Sequence, residues 1–580
     1  MSPEPATARQ DAAIPSGWRA AMAAGAFAAL LAAVLWAYAP VLDNGLVWDD
    51  GANLVAARAQ WDRGLAGTAW AWRMPFNGHY QPLTWLSYQL DAAVSGATPR
   101  GLHATNLLLH LLTTALVGWL SWMLASFAGG DGDSSAKDPA RRLALAWVAA
   151  ALFALHPVRV ESVAWATERR DLLSAVFVLA ALAVHLRGAP RDDSPSPVRG
   201  WVALLHALAA LSRAQMSLPF VLLLLDLWPL RRLNRGPSRW RSLVRLVAEK
   251  AVSLAIAVAS AVAAAWAQLG GGAMTGIDEH GLVARLVQAG YGLSFYPAAL
   301  LGANRRLPLV ERPYPFDPTA PALLGPALAT VAVALALVVW RRRLPAVATA
   351  FGAYLLFVLP VLGLAQSGIQ LVADRYAYLA TVPLVLLVPF GAERVWRVTT
   401  RQAARWGLGV ALLVLLGVGS IATRHQTAVW RSDETLWRHV LEGSRSCLAD
   451  NNLGQLLFAR GETGPALFHL VRSLEVAPPY GRPWRALVAL LELPRTSAGA
   501  PPPEKVAAVL ERAAAAQPGG VLPRYATALA WWRAGECAKA ERALRQVLAL
   551  EPGHSGARLA LARLGTVRPE VSAPGARAPR

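Results

Sequence analysis

Two adjacent carboxylates, Asp49 and Asp50, follow a long apolar run and a tryptophan in GLVWDDGANL. An acid beside a bilayer surface can act as general base toward a hydroxyl. Acids at such a depth are costly to keep and tend to be functional. On an extended segment the two side chains would point opposite ways, so that one is the base and the other binds or orients. The bland reading is a turn, because Asp-Asp-Gly is turn-prone. A second concentration, HPVRVESVAWATERRD, sets His156, Arg159, Glu161, Glu168, Arg169, Arg170 and Asp171 between two apolar spans. It is either a solvated loop or an acid, base and anion-binding cluster facing a cavity, since arginine pairs with phosphate oxygens. In QSGIQLVADRYAYL, Asp374 and Arg375 open a span, either as an ion pair anchored by Tyr376 and Tyr378 or with Arg375 as a phosphate ligand. Arg213, in LSRAQMSLP, is a further phosphate-ligand candidate. His79, Tyr80, His103 and His110 could be read as metal ligands, but their spacings fit no metal template and structural roles are preferred. His79 and Tyr80 stay among the substrate-site candidates with His156, Glu161, Glu168, Asp374 and Tyr376. No P-loop, Rossmann glycine fingerprint or nucleophile elbow is present, so a nucleotide-driven or hydrolytic mechanism is unsupported.

The elements that position these residues must cross a membrane. The chain has 580 residues, of which 55% are hydrophobic and 16% charged, where about a quarter charged is usual for a soluble domain. Apolar runs of about 20 residues recur through the first three quarters, and lipid excludes an open sheet there. The fold class is all-α, with a polytopic membrane domain. The net charge of +20 comes from arginines flanking apolar spans, which is the placement that membrane orientation produces rather than a nucleic-acid surface. The segment before residue 20 lacks the short apolar core of a signal peptide, and the run after it is long enough to span.

Candidate spans lie at 20–42, 104–126, 143–156, 171–187, 201–212, 216–230, 251–268, 320–340, 344–364, 377–391 and 405–422, about eleven in all. Basic residues then set the orientation. The loop 231–250 holds Arg231, Arg232, Arg235, Arg239, Arg241, Arg245 and Lys250. Lys137, Arg141 and Arg142 mark a second basic loop, Arg341–Arg343 a third, and Arg394, Arg397, Arg401 and Arg405 a fourth. All four fall inside only if 201–230 is two short spans and 283–303 does not cross, lying instead on or in the outer face as an interfacial or re-entrant helix. Residues 1–19 are then cytoplasmic, and the domain 20–425 puts loop 43–103 and segments 156–171, 269–319 and 366–377 on one outer side. The Trp and Tyr content of NGHYQPLTWLSYQLD suits a membrane interface. A long loop of that richness is disproportionately functional.

From about residue 430 the composition turns soluble. Leu453, Gly454, Gly461, Ala466 and Pro478 fall at positions expected of a tetratricopeptide unit, whose period is about 34 residues. Gly535, Ala540 and Pro552 repeat them in phase. Residues 426–565 therefore read as a C-terminal tetratricopeptide-repeat α-solenoid. Such stacks offer a concave surface suited to peptide, although the repeat could instead only pack against the membrane domain. The tail 566–580, rich in Pro, Ala and Arg, reads as disordered. Cys447 and Cys537 form no metal or disulfide pattern.

In order, VWDDGANL, GHYQPLTWLSYQLD, HPVRVESVAWATERRDLLS, LPFVLLLLDLWPL, VADRYAYL and VWRSDETLWRHVL followed by repeats resemble one family. It is the transmembrane and tetratricopeptide-repeat-containing O-mannosyltransferases, within the GT-C glycosyltransferases, and the composition looks like that of a bacterial-type member. The resemblance runs over about 40–560. It implies a lipid-phosphate-linked sugar donor and a catalytic acid in the first outer loop, matching Asp49 and Asp50. Arg375 would meet the lipid phosphate, with Arg169 or Arg170 as alternatives. It implies a multi-pass enzyme of the bacterial inner membrane, with the repeats on the periplasmic or outer side presenting an acceptor protein or peptide. Membrane lipid is the other partner, no nucleic acid is expected, and a divalent cation is left open. Rival readings are a GT-C transferase acting on a glycolipid or cell-surface polymer, and a non-catalytic repeat scaffold.

Overall fold

The structure, a computed structural model, describes residues 16–127, 138–190, 192, 194–234, 238–270, 275–302, 307–365, 368–494 and 498–567. The segment before residue 16, the tail past 567, and the basic residues Lys137 and Arg235 lie outside the described residues. The chain divides into two compact units. One takes in Met1–Arg312 and Asp317–Ser432, the other Pro313–Phe316 and Asp433–Arg580.

The first unit is helical, with one short strand pair. Its helix starts follow capping rules. Thr98 accepts a hydrogen bond from the Gly101 N–H at 3.2 Å and precedes Pro99, so the long helix Pro99–Leu124 begins there. Asp138 and Pro139 do the same for Pro139–Ala154. Among the described residues five helices are long and apolar enough to cross a membrane: Ala21–Asp43, Pro99–Phe127, Ala251–Gly270, Pro321–Trp340 and Gln402–Val429. Two bent pairs raise the number to seven, Pro139–Ala154 with Pro157–Ala164 and Asp374–Ala380 with Val382–Val398, each broken by 60°. This is the helix content of a membrane protein.

The remaining apolar runs behave differently from their hydropathy. Arg199–Ser212 has 14 residues and Leu218–Leu227 has 10. At about 1.5 Å per residue neither reaches the roughly 30 Å of a hydrocarbon core. Segment 283–303 forms Leu282–Leu300, which lies against Pro321–Trp340. A β-carbon on Gly290 would come within 2.8 Å of the Ala327 Cβ, and Thr330 Oγ1 donates to the Gly290 carbonyl at 2.9 Å. Glycine is what lets these helices touch.

Loop 43–103 is not irregular. It folds into a π-helical turn Gly51–Ala56 and helices Arg58–Trp61, Leu65–Arg73 and Pro82–Ser95. Its core is aromatic, with Trp61, Trp85 and Tyr88 buried around Leu54, Ala71, Leu102 and Ala166. The strands Val310–Glu311 and Gln370–Val372 pair antiparallel, Val310 opposite Val372, and lead directly into Asp374–Tyr376.

In the second unit, helices Cys447–Ala459 and Thr463–Val476 pack as a pair, as do Val521–Arg533 and Cys537–Leu550. Each pair turns on a glycine with left-handed backbone, Gly461 at φ +81° and Gly535 at φ +80°. Ala466 and Ala540, five residues on, are both fully buried. A β-carbon on Gly454 would meet the Leu470 side chain at 2.8 Å, so glycine permits that close crossing. Cys447 and Cys537 are free thiols.

Candidate functional site

The acidic pair sits in a turn, not an extended strand. Asp50 has helical dihedrals, φ −59° and ψ −35°, and opens the π-helical turn. Trp48 carries a left-handed backbone at φ +56°. A bulky residue there costs on the order of 1–3 kcal/mol and persists only where its surroundings hold it. Those surroundings are aromatic: Trp48 stacks on Trp165 at 4.5 Å and 4°, and Trp165 stacks on Trp430 at 5.8 Å.

The two acids nevertheless face different environments. Asp50 is fully buried and occupied. Its Oδ1 accepts from the Thr167 N–H at 2.8 Å and from Thr167 Oγ1 at 2.6 Å, and its Oδ2 accepts from the Val47 N–H at 3.0 Å. Burial pushes its pKa up to about 7, against the pull of Thr167 and Val47. Asp49 is exposed. Asp50 thus latches the turn to segment 166–168 and leaves Asp49 at the surface.

Segment 157–168 supplies the other half. Glu161 is buried and accepts from the Arg375 N–H at 3.0 Å and from the Arg375 guanidinium. Glu168, fully buried, accepts from Arg170 at 2.5 and 3.2 Å and lies 3.7 Å from Arg375 Nε. Burial would raise the Glu168 pKa, but Arg170 and Arg375 together hold it well below the usual carboxylate range. Arg375 also lies over Trp165 at 5.4 Å and over Tyr376 at 4.8 Å. Trp165 therefore carries the acid-bearing turn by one contact and the arginine by another.

Arg213 pairs with Asp171, lies over Tyr376 at 5.9 Å and keeps 30% of its side chain exposed. A cavity of about 70 Å³ is lined by Asp171, Arg213, Gln215, Phe357, Arg375 and Tyr376. His79 reaches the cluster from loop 43–103. Asn77 at φ +47° and Gly78 at φ +74° make a tight hairpin turn, closed by paired bonds between Phe76 and His79 at 2.9 and 3.0 Å. Burial first, then Arg170, Arg213 and Arg375, push the His79 pKa well below the imidazole range. A neutral imidazole facing arginines can accept or donate a hydrogen bond at neutral pH.

Other sequence candidates stand apart. Arg169 is fully buried and spent on structure: 2.6 Å from Asp91, 2.9 Å to Asn106 Oδ1 and 2.8 Å to the Leu102 carbonyl. His156 caps Val158 with Nδ1 at 3.2 Å and meets the Leu300 carbonyl with Nε2 at 3.1 Å. Tyr80 donates to the Trp72 carbonyl at 3.0 Å. His103 meets the Gly45 carbonyl at 3.2 Å, and His110 meets the Tyr378 hydroxyl at 2.8 Å. Asp374 is buried beside Arg375, and the Tyr376 hydroxyl accepts from Gln370 at 3.1 Å. Among the described residues no three His, Cys, Asp or Glu side chains form a group able to hold a metal ion.

Sequence reasoning passed over Trp48, Trp165, Thr167 and the Asn77–Gly78 turn. The last had a local signal, since Asn-Gly favours a left-handed two-residue turn. The tryptophan stack had none, because it joins three distant segments.

No family model matches the chain, and no solved structure matches it. Named relatives do. The chain is 32% identical over 190 residues to protein O-mannosyl-transferase Tmtc2 of Drosophila melanogaster, covering 31% of this chain and 18% of that one. It is 31% identical over 194 residues to Tmtc1 of the same organism, 32% of this chain and 20% of that one. It is 35% identical over 147 residues to human TMTC4, 23% and 19% respectively. The chain thus spans no more than a fifth of the length of these relatives. Its named homologues, at 31% to 35% identity, are protein O-mannosyl-transferases of the Tmtc group.

Proposed function

We propose that the chain is an integral-membrane glycosyltransferase of GT-C type. It moves a sugar, mannose, from a polyprenyl-phosphate donor to a Ser or Thr hydroxyl of a protein on the outer side of a bacterial inner membrane. The carrying observation is the Trp165 platform, which holds the turn bearing exposed Asp49 and the Arg375 guanidinium together. Asp49 takes the acceptor proton as the hydroxyl oxygen attacks the anomeric carbon. The bond from that carbon to the phosphate oxygen breaks, and the electron pair leaves with the polyprenyl phosphate. The anomeric centre inverts. Arg375 and Arg213 neutralise the charge growing on the leaving phosphate, and Arg170 adds to the field while bound to Glu168. Neutral His79 orients the sugar or phosphate. Asp50 positions Asp49 and does not act on substrate, because both its oxygens are engaged.

About eleven membrane passes, five of them by short or bent elements that do not each cross the full hydrocarbon core alone, put loop 43–103 and segment 156–171 on one side. The second unit acts as a tetratricopeptide solenoid presenting the acceptor. The matched left-handed glycines and buried alanines of its two helix pairs support that reading. The test is transfer of mannose from polyprenyl-phosphate mannose to protein by the purified full-length chain, read as protein-bound hexose by mass spectrometry. Hexose appearing only in the lipid fraction would replace this reading with glycolipid transfer.

A further inference from the structure

A second cavity adjoins the first at Phe357, which lines both, and runs from there toward the opposite end of the same helices. The site arginines cluster at the start of Arg169–Arg187 and near Asp374, whereas this groove is lined by Leu182, Val221, Ala350 and Leu386. Its volume is about 770 Å³. Its walls are apolar, but its rim carries Arg141, Arg231, Arg394 and Arg397. Glu393 is the one acid in the lining, and Arg141 and Arg397 both bond it, at 2.8 and 2.7 Å. Arg231 and Arg394 are exposed, and no ion pair joins either to an acid among the described residues. Arg231 holds a left-handed backbone at φ +51°, a strain that proteins keep mostly at ligand sites.

We propose that this groove holds an anionic glycerophospholipid of the surrounding bilayer. The acyl chains would fill the apolar cavity, and the head-group phosphate would meet Arg231 and Arg394. A basic rim on an apolar interhelical pocket is the chemistry that selects such a lipid over a neutral one. The polyprenyl tail of a donor does not account for it. With its phosphate at Arg375, the donor would bring only hydrocarbon to this end, since Arg141 and His156 sit at opposite ends of a helix about 20 Å long. Two arginines would then line a site with no anion.

The experiment is native mass spectrometry of the purified full-length chain, taken from vesicles of phosphatidylcholine mixed with phosphatidylglycerol. Wild-type protein should retain the anionic lipid over the neutral one by roughly 30-fold, about fivefold for each arginine. Arg231→Gln with Arg394→Gln should remove the preference. Ala350→Trp, which fills the groove with the arginines intact, should remove the retained lipid. Equal retention of the two lipids by wild type overturns the proposal, and so does a preference that survives both variants. Displacement of the lipid by polyprenyl phosphate, with retention unchanged in the arginine variant, assigns the groove to the donor tail and also overturns it. None of these outcomes bears on sugar transfer at Asp49, so the two readings fail separately.

Discussion

Glu161→Gln removes the charge that keeps Arg375 in place. Both groups are buried, with side-chain exposures of 2% and 8%. Glutamine keeps one carbonyl oxygen, so one of the two contacts to Arg375 survives. Its amide then faces an N–H donor instead of accepting from it. The nearest remaining carboxylate is Glu168 at 3.7 Å, already bonded to Arg170 at 2.5 Å. Breaking a buried ion pair by one partner costs about 3–5 kcal/mol. The surviving contacts put this case near the lower figure, about 3 kcal/mol, or roughly a hundredfold in the unfolded fraction. The assay is unfolding of the purified chain in a denaturing-detergent titration, followed by tryptophan fluorescence. Arg375→Gln alone should cost as much, because it strands Glu161. The double variant strands no charge and should cost about 2 kcal/mol less than the sum of the singles. A loss under about 1 kcal/mol for Glu161→Gln, or strict additivity, would refute the assigned pairing.

Burial holds Asp50 up at about 7, against 3.8 for the unperturbed group. The folded chain therefore keeps a proton that the unfolded chain has released. That contribution is full below about pH 4 and is lost as pH rises through 7. Wild type should fall relative to Asp50→Asn by at most roughly 4 kcal/mol between pH 4 and 8, and parallel pH profiles would contradict this. Thr167→Val deletes the 2.6 Å bond to Asp50 and should cost about 1–3 kcal/mol in the same titration, with slower sugar transfer as the Asp49 turn loosens. Gly454→Ala drives a β-carbon against Leu470 at 2.8 Å and should destabilise the second unit by about 1–3 kcal/mol, read as an earlier calorimetric transition. If arginines neutralise the leaving phosphate, chelation of divalent cations should leave transfer within about twofold, and abolition would give that role to a metal.

The charged residues of the site were legible because each stands out against an apolar sequence. Asp50, Glu161, Glu168, Arg170 and Arg375 all lie in runs whose composition changes abruptly. Their roles were less legible. Arg169 and Arg170 are adjacent and chemically alike, yet Asp91 and Asn106 consume the first while the second faces Glu168. Those partners come from distant segments, and no local pattern names them. For a related reason the sequence leaves open whether Asp49–Asp50 forms an extended segment or a turn, and the chain forms the turn. Tryptophan rarely takes a positive φ, and here it is stacked on the distant Trp165. Hydropathy marks where the chain is apolar but not where its helices stop. Pro219 and the Trp228–Pro229 step confine Leu218–Leu227 to 10 residues inside a longer apolar stretch. In the second unit, Gly461 and Gly535 were legible by their spacing, and both turn a helix pair through a left-handed residue.

Asp49 is the point at which the proposed chemistry is most exposed to test. The residue is exposed, so Asp49→Asn should leave stability within about 0.5 kcal/mol. The decisive measurement is the rate of mannose transfer from polyprenyl-phosphate mannose to acceptor protein by purified wild type and Asp49→Asn, at equal folded concentration. Loss of the general base should slow transfer by about 10²–10⁴-fold. A variant that transfers mannose at the wild-type rate would contradict Asp49 as the base.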